Sequence, residues 1–197
     1  MSFVLGLTGS IGMGKSTTAA MFAEEGAAVW DADAAVHRLY AAGGAAVPAV
    51  AEAFPGAITE GAVSRERLKS ALAADPAALP RLERIVHPLV AADRAAFLAA
   101  TTAPVAVIDV PLLFETGTDA LCDATAVVST SPDLQRTRVL ARPGMSGPQL
   151  DAILARQMPD AEKRARATWV IDTTTLDGAR AAVRRIMDQI RERQSNA

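Results

Sequence analysis

The feature that most constrains this chain is the stretch of residues 9–16, GSIGMGKS, which matches G-x-x-x-x-G-K-[ST] at every fixed position. It follows a short apolar run at residues 3–7 and precedes an alanine-rich helical pattern at residues 17–25. Glycines let the backbone wrap closely around phosphate, and amides at the start of a helix face the anion. The pattern therefore predicts a strand, a phosphate-binding loop (P-loop) and a helix, and favours a nucleotide site over an ordinary glycine-rich turn.

Two side chains of this loop carry the expected phosphate chemistry. Lys15 would set a positive charge against the β and γ phosphate oxygens, and the hydroxyl of Ser16 is suited to hold Mg²⁺. Met13 stands at a variable position of the motif, where its backbone can still bind phosphate. The predicted ATP contacts within the loop are Gly9, Ile11, Gly12, Met13, Gly14, Lys15, Ser16 and Thr17.

Further apolar runs occur at residues 27–30, 105–110, 124–129 and 169–172, and helical patterns separate them. Strands that alternate with helices are typical of a parallel sheet, so we predict an α/β fold with a doubly wound sheet of five strands. The chain has 197 residues, 50% of them hydrophobic, which is enough to bury the core of one compact domain.

Two long segments interrupt this alternation. Residues 34–103 show helical apolar spacing broken by glycine and proline, which predicts a helical insertion. Residues 136–166 are rich in arginine and contain Pro143-Gly144 and Gly147-Pro148, which favours two helices joined by a mobile turn that acts as a lid. The core of the single domain would then comprise residues 1–33, 104–135 and 167–197, the last closing with an amphipathic helix at 176–193.

Charge and composition exclude several function classes. A formal net charge of -2 and a pI near 5.7 give no overall attraction to nucleic acid. The single cysteine, Cys122, and the lack of a signal-peptide pattern favour a reducing cytoplasm. No apolar stretch approaches the roughly 20 residues that cross a bilayer, and two histidines with one cysteine make no zinc cluster. We expect a monomer without nucleic-acid or membrane partners.

Three aspartates lie at or just after the ends of predicted strands. Asp33 is suited to accept a proton from an attacking hydroxyl, although aspartate is equally a preferred helix N-cap; Asp31 carries the same ambiguity. Asp109 resembles the acidic residue that holds magnesium at the end of a strand in P-loop enzymes, and its alternative is a turn residue before Pro111.

The arginines of the predicted lid form a cluster that could clamp a transferring phosphoryl group. The alternative for any one of them is a solvated helix face paired with nearby carboxylates. The candidates are Arg138, Arg142, Arg156, Arg164 and Arg166.

Several motifs, taken in order and spacing, resemble the dephospho-CoA kinase family over nearly the whole chain. They are the P-loop at residues 7–16, Asp31-Ala32-Asp33, His87-Pro88-Leu89 and Pro111-Leu112-Leu113-Phe114-Glu115, with Gln157 and Val170-Ile171-Asp172 following. The P-loop is shared by many nucleotide-hydrolysing proteins, whereas the other segments in this order are much more specific. One departure is that Thr168 and Thr173 replace residues of the A-D-x-V-I-D-N form found in many members.

The resemblance implies a P-loop kinase-like three-layer α/β/α fold and transfer of the ATP γ-phosphoryl group to the ribose 3′-hydroxyl of dephospho-CoA, the last step of coenzyme A synthesis. It implies ATP and Mg²⁺ as cofactors and a cytoplasmic enzyme. Asp33 resembles the catalytic base, assisted by Lys15 and Arg138, while Arg142 matches a further lid position for ATP. The implied substrate contacts are Asp33, His87, Leu112 and Glu115, and the implied metal ligands are Ser16 and Asp109.

Two other functions stay open on the sequence. A nucleoside monophosphate kinase would use the same loop, base and arginines. A nucleotide-dependent switch is the second alternative. Its guanine-specific form needs an N-K-x-D motif, which is absent because the only asparagine is Asn196.

Overall fold

A computed structural model describes residues 2–195 and contains a five-stranded parallel sheet, as predicted. The strands occur in the spatial order β2-β5-β1-β6-β7, flanked by helices. In chain order the strands are β1 (Phe3–Thr8), β2 (Ala28–Asp31), β3 (Ile58–Thr59), β4 (Ala62–Val63), β5 (Val105–Asp109), β6 (Ala124–Ser129) and β7 (Trp169–Asp172).

The central strands are continuous apolar runs because both of their faces are covered. All residues of β5 and β6 are buried, which is the composition expected of an internal parallel strand. The register pairs Leu7 of β1 with Asp109 of β5 and with Ala126 of β6. This register sets the carboxyl ends of the three strands side by side, directly where the P-loop begins.

The chain separates into two compact units, one formed by the stretches up to Trp30 and from Thr101 onward, the other by Asp31–Ala100. We call them the sheet unit and the helical unit. The sheet unit holds α1 (Lys15–Glu24), α6 (Pro132–Leu140), α7 (Gly147–Leu154), α8 (Asp160–Arg166) and α9 (Leu176–Ser195). Helix α9 is amphipathic, and its apolar stripe from Ala179 to Ile190 packs with α1 and one face of the sheet.

The helical unit has its own hydrophobic core, built around Val50, Phe54, Leu68 and Leu82. Its helices are α2 (Ala32–Tyr40), α3 (Val47–Ala53), α4 (Arg65–Ala74) and α5 (Ala78–Ala100).

Three details of the sequence interpretation were wrong. The insertion also contains a hairpin, β3–β4, whose two turn residues Glu60 and Gly61 both have positive φ, as a type I′ turn requires. Helix α1 begins at Lys15 rather than Thr17. Residues 136–166 contain α7, α8 and the end of α6, instead of two helices. Among residues 2–195, no helix combines the length and apolar character needed to span a membrane.

Candidate active site

The P-loop connects β1 to α1 and turns through two glycines in the left-handed region. Gly12 has φ 78° and Gly14 has φ 88°, values that residues with a side chain rarely adopt. Gly14 is also the N-cap of α1, and no side chain caps this helix. The first amides of α1 therefore keep their hydrogen-bonding capacity for an anion.

Two glutamines hold the P-loop backbone at Ile11. The side-chain nitrogen of Gln135 donates to the Ile11 carbonyl at 2.7 Å, and the Ile11 amide donates to the side-chain oxygen of Gln157 at 3.1 Å. Gln135 lies on α6, whereas Gln157 follows α7. The loop is thus bonded to α6 and to the segment between α7 and α8.

Lys15 forms an ion pair and hydrogen bond with Asp109, through Nζ and Oδ1. The Asp109 side chain is fully buried, and that of Lys15 is 14% exposed. The pairing of β1 with β5 explains this contact, because the P-loop leaves β1 next to the carboxyl end of β5. The pair sets a charged group that can bind phosphate beside a carboxylate.

The residues predicted to hold Mg²⁺ are suited to an ion that also binds the phosphates of a nucleotide. Ser16, exposed in the first turn of α1, and Asp109 both offer oxygen donors, which Mg²⁺ prefers. Among the described residues, no group of three or more histidine, cysteine or acidic side chains could hold a metal without other ligands. Mg²⁺ commonly completes its coordination with substrate phosphates and water.

Thr173 connects three parts of the site. Its hydroxyl donates to the Met13 carbonyl of the P-loop at 2.7 Å and lies 3.2 Å from the Ser129 carbonyl at the end of β6. Arg138 donates to the Thr173 hydroxyl at 3.3 Å and to the Thr173 carbonyl at 2.7 Å. Thr173 is only 6% exposed, so these bonds form away from solvent. The predicted catalytic arginine is consequently fixed to the P-loop through one threonine.

A cavity of about 270 Å³ adjoins the P-loop on the α1 side. Gly12, Gly14 and Thr17 line it, and Arg138 and Arg142 contribute positive charge. The rest of its wall is mainly apolar, with contributions from Met21, Leu176 and Ala179. An apolar cavity beside a phosphate loop is suited to a nucleoside.

In the loop after β5, some side chains are exposed and others are buried. Leu112 is 38% exposed, while Leu113 is fully buried. Glu115 pairs with Nζ of Lys163 at 2.9 Å and accepts a hydrogen bond from the Met158 amide at 2.8 Å. Burial acts to raise the pKa of Glu115, but the hydrogen bonds from Lys163 and Met158 outweigh it and hold that pKa below its ordinary value. Glu115 therefore stays ionised and fixes α8 to this loop.

In the helical unit, Asp31 at the end of β2 and Asp33 in α2 have different environments. Asp31 is the N-cap of α2, because its carboxylate accepts a hydrogen bond from the Ala34 amide at 2.7 Å. Asp33 lies in the first turn of α2 and is exposed, and it does not cap the helix because Asp31 does. His87 is exposed on α5, one residue before Pro88 inside that helix.

Sequence reasoning gave no site role to Thr173, Gln135, Gln157 or Lys163. Two of them could have been noticed in the sequence. Thr173 differs from the residue found in the family motif that the chain resembles, and Gln157 is one of the residues that match that family. Lys163 could not, because a lysine within the charged helix α8 resembles a solvated residue, yet its side chain is fully buried.

Comparison with known proteins gives one consistent family. The family model described as dephospho-CoA kinase matches residues 3–177. A protein named dephospho-CoA kinase from Cereibacter sphaeroides is 62% identical over 190 residues, covering 96% of each chain. Its counterpart from Jannaschia sp. is 60% identical over 193 residues, covering 98% of this chain and 99% of the relative.

Two solved structures are also similar. A Thermus thermophilus protein superposes with a TM-score of 0.84 at 33% identity, over 94% of this chain and 96% of that one. Dephospho-CoA kinase from Campylobacter jejuni gives a TM-score of 0.66 at 20% identity, over 96% and 97%, a likeness that concerns the fold alone.

Proposed function

Since the chain belongs to the dephospho-CoA kinase family, we propose that it transfers the γ-phosphoryl group of ATP to the ribose 3′-hydroxyl of dephospho-CoA, the final step of coenzyme A synthesis. The observation that carries the proposal is a family match that includes an intact P-loop and extends over residues 3–177. Membership of this family makes the chain an ATP-dependent kinase. It also favours dephospho-CoA over a nucleoside monophosphate as acceptor.

The triphosphate of ATP would bind the P-loop. The amides at the start of α1 and the ammonium of Lys15 supply positive potential, and Lys15 is held beside the loop by Asp109. The loop contacts are those of the motif, Gly9, Ile11, Gly12, Met13, Gly14, Lys15, Ser16 and Thr17. Ser16 and Asp109 would hold Mg²⁺, which neutralises charge on the β and γ oxygens when bound.

The nucleoside of ATP would occupy the cavity beside the P-loop. Its apolar wall suits the faces of adenine, and the guanidinium of Arg142 at its edge suits stacking on the base. Arg138 would stabilise the charge on the transferring phosphoryl group. Its two hydrogen bonds to Thr173 support this role, because a clamp that is already oriented loses less entropy on binding.

Asp33 would act as the base. Its carboxylate takes the proton of the 3′-hydroxyl, the hydroxyl oxygen forms the new bond to the γ phosphorus, and the bond from that phosphorus to the bridging oxygen breaks to release ADP. The exposure of Asp33 supports this assignment, as does the capping of α2 by Asp31.

The remaining substrate contacts stay predictions. Leu112 and His87 are exposed and available to a substrate. Glu115 is held by Lys163, so it would contribute by fixing the loop that carries Leu112. The lid at residues 136–166, a monomeric state and a cytoplasmic location likewise stay predictions.

The test is ADP release by the purified protein with ATP and magnesium, comparing no acceptor, dephospho-CoA, adenosine and a panel of nucleoside monophosphates, with product masses. We expect only dephospho-CoA to stimulate ADP release strongly and to gain one phosphoryl group. If a nucleoside monophosphate proves to be the acceptor, the P-loop interpretation survives and the acceptor is wrong. Hydrolysis that no acceptor stimulates would favour a switch protein.

A further inference from the structure

A second cavity, of about 430 Å³, lies entirely within the helical unit. Asp33 of α2 lines it together with Arg65 and Lys69 of α4. The residue proposed as the base therefore shares a cavity with two cationic side chains that neither the P-loop motif nor the family motifs include.

Arg65 and Lys69 lie four residues apart on α4, a spacing that sets both side chains on the same face of the helix. Tyr40 lines the same cavity as Arg65. Burial raises the pKa of Tyr40, and the positive charge of Arg65 opposes that rise, which indicates that the guanidinium is near the phenol.

The protein does not neutralise these two cations with an ion pair. Two other arginines of the helical unit are paired, Arg38 with Asp93 and Arg81 with Asp75. Within residues 2–195, neither Arg65 nor Lys69 forms a salt bridge. Together with the carboxylate of Asp33, they give the cavity a net charge of +1, so it favours an anion.

The rest of the cavity wall is apolar, and this indicates what kind of anion the cavity can bind. Val36, Leu68 and Leu72 line the same cavity with aliphatic surface. Inorganic phosphate has no group to cover this surface. An organic phosphate ester can satisfy both the cations and the apolar wall.

We propose that Arg65 and Lys69 bind the diphosphate of dephospho-CoA and so present its ribose to Asp33. This inference rests on the proposed function. In that substrate the 3′-hydroxyl and the 5′-diphosphate belong to one ribose, so a cavity that contains both a base and a pair of cations matches the two groups. A guanidinium and an ammonium, each with several donors, suit the oxygens of a diphosphate.

The test is a set of charge-removing variants, Arg65→Gln, Lys69→Gln and the double variant, with steady-state kinetics in dephospho-CoA and in ATP. We expect each single variant to raise the KM for dephospho-CoA by about tenfold, the double variant by about a hundredfold, and the KM for ATP to stay within about twofold. Isothermal titration with dephospho-CoA, in the presence of a non-hydrolysable ATP analogue, should show matching losses of affinity.

Arg67→Gln is the matched control, because Arg67 is exposed on the same helix and does not line the cavity. It removes the same charge and should leave both KM values unchanged. Arg65→Lys keeps a cation at the site and should restore most of the affinity that Arg65→Gln loses. A screened attraction further predicts that added salt weakens dephospho-CoA binding to the wild type more than to the double variant.

The proposal is overturned if folded Arg65→Gln and Lys69→Gln variants keep the wild-type KM for dephospho-CoA, or if Arg67→Gln raises it as much. It is also overturned if the KM for ATP rises equally. Failure of the wild-type protein to phosphorylate dephospho-CoA would instead refute the proposed function, and the wild-type assay reveals that before any variant is made.

Discussion

Replacing Thr173 with valine would test whether a buried hydroxyl holds the P-loop and Arg138 together. Valine has nearly the shape of threonine, so the change removes the hydroxyl with little effect on packing volume. The Met13 carbonyl loses the hydrogen bond that it receives at 2.7 Å. The Ser129 carbonyl keeps the bond from the Thr173 amide at 2.9 Å, and Arg138 keeps its bond to the Thr173 carbonyl.

The magnitude follows from these losses. Met13 is 2% exposed, and leaving a buried acceptor without its donor costs about 1–3 kcal/mol of unfolding free energy. Arg138 loses the weaker of its two bonds to Thr173, the one at 3.3 Å. If that bond contributes about 1 kcal/mol to holding the guanidinium against the transition state, kcat falls by about fivefold.

The assay combines urea unfolding with steady-state kinetics, and Thr173→Ser is the control because it keeps the hydroxyl and removes only the methyl group. We expect the serine variant to retain kcat within about twofold, while the valine variant loses both stability and turnover. Equal stability and equal kcat in the wild type and in Thr173→Val would refute the reasoning. A loss of stability with unchanged kcat would leave Thr173 a purely structural residue.

Three other substitutions test the site. Asp33→Asn should lower kcat by about a hundredfold or more with the KM for ATP nearly unchanged, as loss of a positioned base requires; unchanged turnover would exclude that role. Lys15→Ala should abolish most transfer and cost about 3–5 kcal/mol in urea unfolding, because it leaves the buried Asp109 without its cation; a fully active variant would contradict this. Glu115→Gln should cost a similar amount, about 3–5 kcal/mol, since Lys163 is fully buried. Because the pKa of Glu115 is lowered from 4.5, its stabilisation is present above that pH and is lost as the pH falls through the lowered pKa. The variant should therefore lose less stability than the wild type as the pH falls below 4.5, and parallel pH profiles would argue against it.

The sequence predicted those parts of the fold whose signal is local. The P-loop motif occupies consecutive residues, and the buried strands are apolar runs bounded by turns, so the sheet and its first βα unit follow from pattern alone. The hairpin β3–β4 was missed because each strand has only two residues, too few for alternation to be recognised. Helix α8 was missed because it is short and follows Pro159 in a segment interpreted as one helix.

The contacts that complete the site were beyond prediction because they join residues far apart in the chain. Thr173 and Met13 are 160 residues apart, and their bond depends on β7 lying beside β6 in the sheet. The burial of Lys163 could not be predicted either. A lysine is buried only when it has bonding partners, and the partners of Lys163 are Glu115 and the Pro111 carbonyl, which lie in a loop far away in the chain. Composition also could not separate Asp31 from Asp33, since the choice depends on which carboxylate accepts the Ala34 amide.

These contacts also show that helices α7 and α8 of the arginine-rich segment are held in different ways. Helix α8 is fixed to the loop after β5, because Lys163 is fully buried and donates to the Pro111 carbonyl at 3.1 Å while pairing with Glu115. Helix α7 is held differently: its ion pair to α6, Arg136 with Asp151, joins side chains that are 50% and 63% exposed, whereas its Leu150 side chain is fully buried. An exposed pair of this kind contributes little, so the burial of Leu150 is the larger contribution to holding α7 in place. A lid motion that includes α7 would therefore have to expose Leu150, whereas one that includes α8 would have to break the buried contacts of Lys163.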